Sequence, residues 1–176
     1  MIKQLPIPRF LGALSLIAGS ILHVPATNAV IISVGGKNPP EIKLTVGKGG
    51  GNIRVVTFDV PAGQVGNSTP ITGDKEVDMI VQIRATPAFS RVARLTVDSS
   101  SPLTNGSITL LMSDISWVAT QGDIPSGTFN NTTNQFMMSY PNSFKISDKH
   151  IFSYKNTQLL EAGTYSGRVT YTLTMP

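Results

Sequence analysis

The chain has 176 residues, a formal net charge of +4, 14% charged residues and no cysteine. Two of its positive charges, Lys3 and Arg9, lie in the N-terminal segment and the others are scattered, so no basic patch indicates nucleic-acid binding. The size suits one domain with a full hydrophobic core. Without cysteine, that domain must be stabilised by packing and by hydrogen bonds between strands rather than by disulfides.

The first 29 residues have the organisation of a secretion signal. The basic residues Lys3 and Arg9 precede an apolar run over residues 10–22, and a segment ending in small residues follows up to Ala29. The run is too short to span a bilayer comfortably as a permanent helix. We therefore predict cleavage after Ala29, with cleavage after Ala26 as the alternative.

Beyond the signal, the sequence predicts an all-β chain folded as a β-sandwich. Gly, Pro, Ser, Thr and Asn separate short alternating segments, and no stretch keeps a helical period for three turns. Strands at this spacing are typical of a β-sandwich. We expect residues 41–176 to form one domain, in which the polar loop 120–134 is an insertion. The predicted strands are residues 30–34, 42–46, 53–60, 77–85, 92–97, 107–112, 115–119, 135–139, 143–147, 150–154 and 165–175.

Turn-forming sequences separate several of these strands. Residues 47–52 (Gly-Lys-Gly-Gly-Gly-Asn) predict a flexible turn, and residues 98–106 predict a second turn rich in Ser, Pro, Asn and Gly. Strands 107–112 and 115–119 are expected to pair with each other around Ser113 and Asp114.

The last predicted strand has the clearest alternation in the chain. Its polar face carries Ser, Thr and Arg168, and this arginine is expected to be a surface charge that discourages wrong edge pairing. A period of two over eleven residues indicates a half-buried strand. The other face carries Tyr165, Gly167, Val169, Tyr171, Leu173 and Met175.

Catalytic chemistry has few candidates. After signal removal His150 is the single histidine, so a Ser-His-Asp arrangement would have to use it. It follows Asp148 and Lys149, which predicts a solvated turn histidine instead of a catalytic base. We therefore expect no enzyme activity and no cofactor.

Ion binding has two weak candidates. The acids Asp74, Glu76 and Asp78 are spaced to lie on one side of an extended segment, but calcium needs six or more oxygens, usually from a tight loop. We expect them to be solvated, with Lys75 nearby. The glycine-rich residues 47–51 lack the Gly-Lys-Ser/Thr sequence and the following helix of a phosphate-binding loop.

Trp117 is the single tryptophan and shares a strand face with Ile115. A core tryptophan is the prediction, and a sugar-stacking platform is the alternative. Residues 136–138 (Phe-Met-Met) are predicted to be core by the same reasoning.

Both ends of the predicted mature chain resemble one protein family. Residues 162–170 (Ala-Gly-Thr-Tyr-Ser-Gly-Arg-Val-Thr) resemble the C-terminal strand of chaperone–usher fimbrial subunits, which begins with a glycine about fourteen residues from the end, as Gly163 does here. Residues 29–34, the break at 35–40 and residues 41–46 are similar to the mature N-terminus of the cysteine-free, colonisation-factor (alpha-type) pilins.

The resemblance implies an immunoglobulin-like sandwich that lacks its final strand and is completed by donor-strand exchange. A periplasmic chaperone would pair along residues 165–175, and at an outer-membrane usher the N-terminal extension 30–40 of the next subunit would replace it. Residues 35–40 would be a hinge. The implied donor residues are Val30, Ile32 and Val34, or Ile31 with Ser33 if the face is reversed. The implied partner face carries Gly163, Tyr165, Val169, Tyr171, Leu173 and Met175.

The resemblance further implies a structural subunit of a bacterial surface fimbria that supports adhesion. Its partners would be further copies of itself, the chaperone, the usher and a host surface receptor. The alternative is a secreted carbohydrate-binding module that uses Trp117 and the loop 120–134. The two functions differ in one property: the fimbrial subunit is expected to be unstable alone, and the binding module to be a stable monomer.

Overall fold

The computed structural model describes residues 41–47, 55–84, 92–141 and 143–175. The predicted signal and the predicted donor extension, including Val30, Ile31, Ile32 and Val34, lie outside these residues. Within the described ranges the protein is a sandwich of antiparallel sheets, so the predicted all-β fold class is confirmed. No helix in these ranges is both long and apolar enough to cross a membrane.

The strands follow the chain with short connections between them. In chain order they are β1 Glu41–Val46, β2 Ile71–Thr72, β3 Val77–Arg84, β4 Val92–Asp98, β5 Leu103–Asn105, β6 Ile108–Leu110, β7 Ile115–Ala119, β8 Gly127–Thr128, β9 Gln135–Pro141, β10 Phe144–Tyr154 and β11 Thr170–Thr174. Two 3-10 turns, Ala62–Gln64 and Met112–Asp114, lie between them.

Two sheets enclose the core. The larger sheet has the spatial order β1-β3-β10-β7-β8, and β2 pairs with the end of β10. The smaller sheet has the order β11-β4-β9, and β5 and β6 form a separate hairpin. Alternate residues of the central strands point between the sheets, as a half-buried strand requires. The buried residues of β3 and β4 are Val77, Met79, Val81, Ile83, Ala93, Leu95 and Val97.

The predicted strand 53–60 is not a strand where it is described. Residues 55–60 alternate between exposed and half-buried but belong to no sheet. Instead, the Thr57 N–H donates to Asp74 Oδ1 at 2.7 Å, and the Asp74 N–H donates to the Thr57 carbonyl at 2.9 Å. These two bonds replace a ladder over this segment.

The predicted pairing of 107–112 with 115–119 is wrong. The Met112–Asp114 turn redirects the chain, so β6 pairs with β5 across Gly106, while β7 pairs with β10 and β8. Gly106 has φ 59°, in the left-handed region that a tight turn favours. The segment expected to be a plain turn, 98–106, therefore contains a strand of its own.

The predicted strands 143–147 and 150–154 are one continuous strand, β10. Asp148 and His150, expected in a polar turn, point into the core, and His150 is 0% exposed. The expectation of a solvated histidine is therefore wrong. The His150 ring instead packs near the rings of Trp117 and Phe152. Burial of Asp148 is tolerable because backbone N–H groups of the loop 120–134 donate to its carboxylate.

A β-bulge in β9 divides the predicted core residues 136–138. Leu95 of β4 faces Met138 and the next residue, Thr96, faces Phe136, so Met137 is the additional residue. Met137 is buried, Met138 packs against the core and Phe136 is 52% exposed. The core prediction is therefore wrong for Phe136.

Candidate functional site at the β1–β11 seam

The candidate site is the line along which the two sheets meet at β1 and β11. Within the described ranges β1 pairs only with β3, and β11 pairs only with β4, so each strand has a free edge. Pairs of Cα atoms from the two strands lie within 8 Å of each other, yet no ladder joins them. We call this line the β1–β11 seam. Its apolar side chains are Ile42, Val46, Val169, Tyr171, Leu173 and Met175.

The core residues at the seam are more exposed to solvent than those of the neighbouring strand β4. Tyr171 and Leu173 lie opposite Val97 and Leu95 in the register of β11 with β4. Val97 and Leu95 are both 0% exposed, whereas Tyr171 and Leu173 are only half-buried. The apolar face of β11 therefore keeps solvent contact that its neighbour in the same sheet has lost. A strip of this kind beside an unpaired strand edge is suited to accept another strand.

Beneath the seam, the Tyr171 side chain approaches His150, one of two buried polar residues of β10; the other is Asp148. Its ring lies 6.5 Å from that of His150, centroid to centroid. The Tyr171 hydroxyl is buried and has no hydrogen-bond partner among the described residues, and burial raises its pKa. Tyr171 is therefore partly exposed as a residue, but its hydroxyl is buried.

His150 and Asp148 are buried two residues apart on the inner face of β10. Neither ring nitrogen of His150 has a partner in the described part of the chain. Burial lowers the pKa of His150 to about 4, although the nearby Asp148 carboxylate acts in the opposite direction. His150 is therefore neutral at physiological pH, and this pair is part of the core rather than a solvent-accessible acid–base site.

Asp148 ties the start of the loop 120–134 to the sheet. Its carboxylate accepts N–H bonds from Gln121 at 3.0 Å, from Ile124 at 3.0 Å and from Lys149 at 2.7 Å. Burial opposes ionisation of this carboxyl, but the three N–H donors and His150 outweigh it, so the pKa is lowered. Asp148 thereby positions the loop over the core.

The residues predicted from the C-terminal alternation divide into two groups. Val169, Tyr171, Leu173 and Met175 pack at the margin of the core. Gly163 and Tyr165 instead precede the bridge between Ser166 and Thr104 of the β5–β6 hairpin. A Cβ on Gly163 would overlap the Asn105 side-chain amide, and the Tyr165 hydroxyl donates to the Glu161 carbonyl at 3.2 Å.

The observed strand β11 is therefore shorter than the predicted strand 165–175. The ladder of β11 covers Thr170–Thr174, and residues 166 and 104 form only an isolated bridge. A Cβ on Gly167 would lie 3.1 Å from the Cα of Leu103, so the chain passes close to β5 before it joins β4. Arg168 lies exposed between these two contacts.

Trp117 is a core residue, as predicted. It is 4% exposed, its ring lies 4.9 Å from that of Phe129, and its Nε1–H donates to the Pro125 carbonyl at 2.9 Å. Gly127 is packed directly against the indole. The loop 120–134 thus covers Trp117 and leaves no open ring face on which a sugar could stack.

Two of the three acids considered for calcium, Asp74 and Glu76, pair with different lysines. Asp74 pairs with Lys75 at 3.0 Å, and Glu76 pairs with Lys149 at 3.1 Å. The N–H of Thr57 is the main cause that lowers the pKa of Asp74, and Lys75 adds to it. Across the described ranges, no three His, Cys, Asp or Glu side chains come together as a metal site.

Comparison with protein-family models, curated proteins and solved structures gave no match. The sequence pattern did not predict one buried polar pair, Asp148 and His150. The available signal was a period of two that indicates one continuous strand, and two polar residues at inward positions obscured it. The inward residues are Ile146, Asp148, His150, Phe152 and Tyr154.

Proposed function

We propose that the chain is a structural subunit of a bacterial surface fimbria of the chaperone–usher type, polymerising by donor-strand exchange and supporting adhesion. The observation that carries the proposal is the β1–β11 seam, where two strand edges that are unpaired within the described residues lie side by side above half-buried apolar residues. The resemblance of both chain ends to colonisation-factor pilins supports the same function.

The physical basis is β-strand addition. An incoming extended segment would hydrogen-bond to the free edge of β11 and cover Tyr171 and Leu173, with alternate side chains setting the register. Full burial of a Val or Ile side chain contributes about 1.5–3 kcal/mol. Donor residues Val30, Ile32 and Val34 would therefore form a junction that dissociates slowly, and Ile31 with Ser33 would replace them if the opposite face is inserted.

The seam has to widen for this exchange. Two strands that flank a third lie roughly 9.5 Å apart, twice the spacing of paired strands. Cα atoms of β1 and β11 approach within 8 Å. Insertion between the strands would therefore separate the edges, and the closed seam would represent the subunit before a partner strand is bound.

In this proposal the free edge of β11 would bind two partners in turn, first a chaperone and then the next subunit. A periplasmic chaperone would first protect β11 from aggregation, and the N-terminal extension of the next subunit would replace it at an outer-membrane usher. Each subunit would then accept one strand and donate one. Such head-to-tail contacts do not close on themselves and produce a filament on the cell surface. Residues 35–40, with two prolines, would end the donor ladder and form the hinge.

Peptide complementation tests this proposal. A chain beginning at Glu41 is heated with and without a peptide covering residues 27–40, and a peptide carrying Ile32→Asp is the matched control. We expect the wild-type peptide to raise the melting temperature by about 10 °C or more, because it supplies the missing strand, and the control to have much less effect. A chain that melts at the same temperature in all three samples would exclude donor-strand completion.

The alternative of a carbohydrate-binding module built on Trp117 receives no support from the position of that residue. Such a module needs an exposed ring, and Trp117 is enclosed by Phe129, Pro125 and Gly127. A hydrolase using His150 meets a similar obstacle, since the imidazole is buried. Neither rival therefore has an observation in its favour comparable to the seam.

A further inference from the structure

The outer face of the smaller sheet carries a shallow depression of about 280 Å³. It lies on the side of the sheet that faces away from the core, and all three strands of the sheet border it. Strand β4 contributes the central residues, β11 borders one side, and β9 with the residue before it borders the other. The lining residues are Arg94, Thr96, Asn134, Phe136, Thr172 and Thr174.

Strand register brings these side chains together. Thr96 is paired with Thr172, and Arg94 is paired with Thr174, so four outward side chains form a compact square. The bulge in β9 turns Phe136 outward opposite Thr96. Without that additional residue, alternation would send the ring to the other face of the sheet.

Phe136 and Arg94 form the main recognition element of this depression. The Arg94 guanidinium carbon lies 5.4 Å from the centroid of the Phe136 ring, within cation–π range. Phe136 is 52% exposed. In contrast to Arg84, which pairs with Glu41 at 2.6 Å, Arg94 has no acidic partner among the described residues. Its planar fork is therefore held against a ring and remains available to a carboxylate.

The rest of the lining is neutral and polar. Among the described residues it consists of three threonine hydroxyls and the Asn134 amide, with no acid. The Thr96 hydroxyl has only a long contact of 3.5 Å to the Thr172 carbonyl, so it remains available as a donor. A single cation is too little charge for nucleic acid, which requires several phosphate contacts. Hydroxyl and amide groups around one exposed ring suit a sugar better than they suit an apolar peptide.

We propose that this depression binds a saccharide that carries a carboxylate. The sugar's C–H face would rest on Phe136, its carboxylate would accept hydrogen bonds from Arg94, and its hydroxyls would pair with the threonines and Asn134. This inference goes beyond the fimbrial proposal and does not depend on it. In a fibre, repetition of the depression on every subunit would convert a weak single-site affinity into strong multivalent binding.

Two acidic saccharides test the proposal. The sample is the complete chain after removal of the predicted signal, in the oligomeric or polymeric form in which it is purified. The probes are 3′-sialyllactose and tri-galacturonate, with lactose as the neutral counterpart of the first, and binding is measured by saturation-transfer NMR. We expect at least one acidic probe to bind about tenfold more tightly than lactose, because charge-assisted hydrogen bonds to Arg94 are added. The probe that binds distinguishes a sialic acid from a uronic acid as the source of the carboxylate. Absence of binding by both acidic probes, or equal binding of lactose, would overturn the proposal.

Matched variants locate the binding. Arg94→Gln should remove the preference for the acidic probe, and Phe136→Ala should weaken that probe by about tenfold; both residues are exposed, so folding should be retained. Arg168→Gln removes the same charge from an exposed position outside the depression and should leave binding unchanged. Equal losses in the Arg94 and Arg168 variants would indicate nonspecific attraction and would also overturn the proposal.

Discussion

The aromatic ring of Tyr171 on β11 lies 6.5 Å from the imidazole of His150 on β10, so the edge strand of one sheet contacts the polar centre of the other. Both residues have buried polar atoms without partners in the described ranges. The margin proposed for subunit assembly therefore contacts His150, a core residue whose pKa is lowered by burial. Occupancy of the seam and protonation of the core are expected to influence each other.

Stability should decrease as the pH falls from about 6.5 to 4. The pKa of His150 is lowered by burial from 6.5 to about 4, so the unfolded chain binds its proton first and protonation favours unfolding across this window. The loss should approach about 3 kcal/mol, since one pKa unit corresponds to about 1.4 kcal/mol. Asp148, whose pKa is lowered by its N–H partners, adds a loss at still lower pH. Urea unfolding of the chain at a series of pH values measures both effects.

His150→Leu is the control for that profile. The variant removes the titrating group and should flatten the pH dependence between 6.5 and 4, whatever it does to stability at neutral pH. An unchanged slope would show that another group is responsible.

Tyr171→Phe should leave stability unchanged or raise it by up to about 1 kcal/mol. The substitution removes a buried hydroxyl that has no hydrogen-bond partner in the described residues, while the ring and its contact with His150 remain. Thermal and urea unfolding check this. Tyr165→Phe is the comparison, because its hydroxyl already donates to the Glu161 carbonyl near the surface. A clear destabilisation by Tyr171→Phe would mean that the hydroxyl is satisfied after all.

Gly127→Ala should destabilise the sandwich by about 1–3 kcal/mol, the usual cost of overpacking. A Cβ at this position would lie 2.7 Å from the Trp117 indole, which is itself held by Phe129 and Pro125. Gly63→Ala is the matched control, because a Cβ there meets nothing within 4 Å. Trp117 fluorescence during urea unfolding reports both variants, and equal midpoints would contradict the close packing of the loop on the indole.

Ile32→Asp should prevent polymerisation without unfolding the subunit held by its chaperone. A charge on a donor residue cannot enter the apolar seam without a large desolvation cost, whereas the domain from residue 41 onward is unaltered. Electron microscopy of fibres and copurification of the chaperone complex measure the two properties. Ile31→Asp is the partner experiment: if it blocks fibres and Ile32→Asp does not, the opposite face is inserted. Normal fibres from both variants would contradict the donor assignment.

The strands with simple alternation could be predicted from the sequence, and β1, β3 and β4 lie close to their expected positions. Strand β10 could not be delimited in that way, because Asp148 and His150 occupy inward positions that a hydropathy pattern assigns to apolar residues. The outward position of Phe136 depends on a bulge opposite β4, and that bulge is a property of long-range register. The seam has the same origin: its apolar residues alternate in the sequence, but the proximity of β1 to β11 arises only when the two sheets pack.

Asp148 has one more consequence for a chain without cysteine. Its two carboxylate oxygens connect β10 to backbone positions 27 and 24 residues earlier, at Gln121 and Ile124. The carboxylate thereby closes a loop of the length that a disulfide would close in many exported domains. This pair of hydrogen bonds forms without an oxidant and is unaffected by reductants, and protonation of the carboxyl would weaken it. Such a chain could cross compartments of different redox potential with the loop 120–134 secured, and strong acid rather than a thiol would be the reagent that releases it.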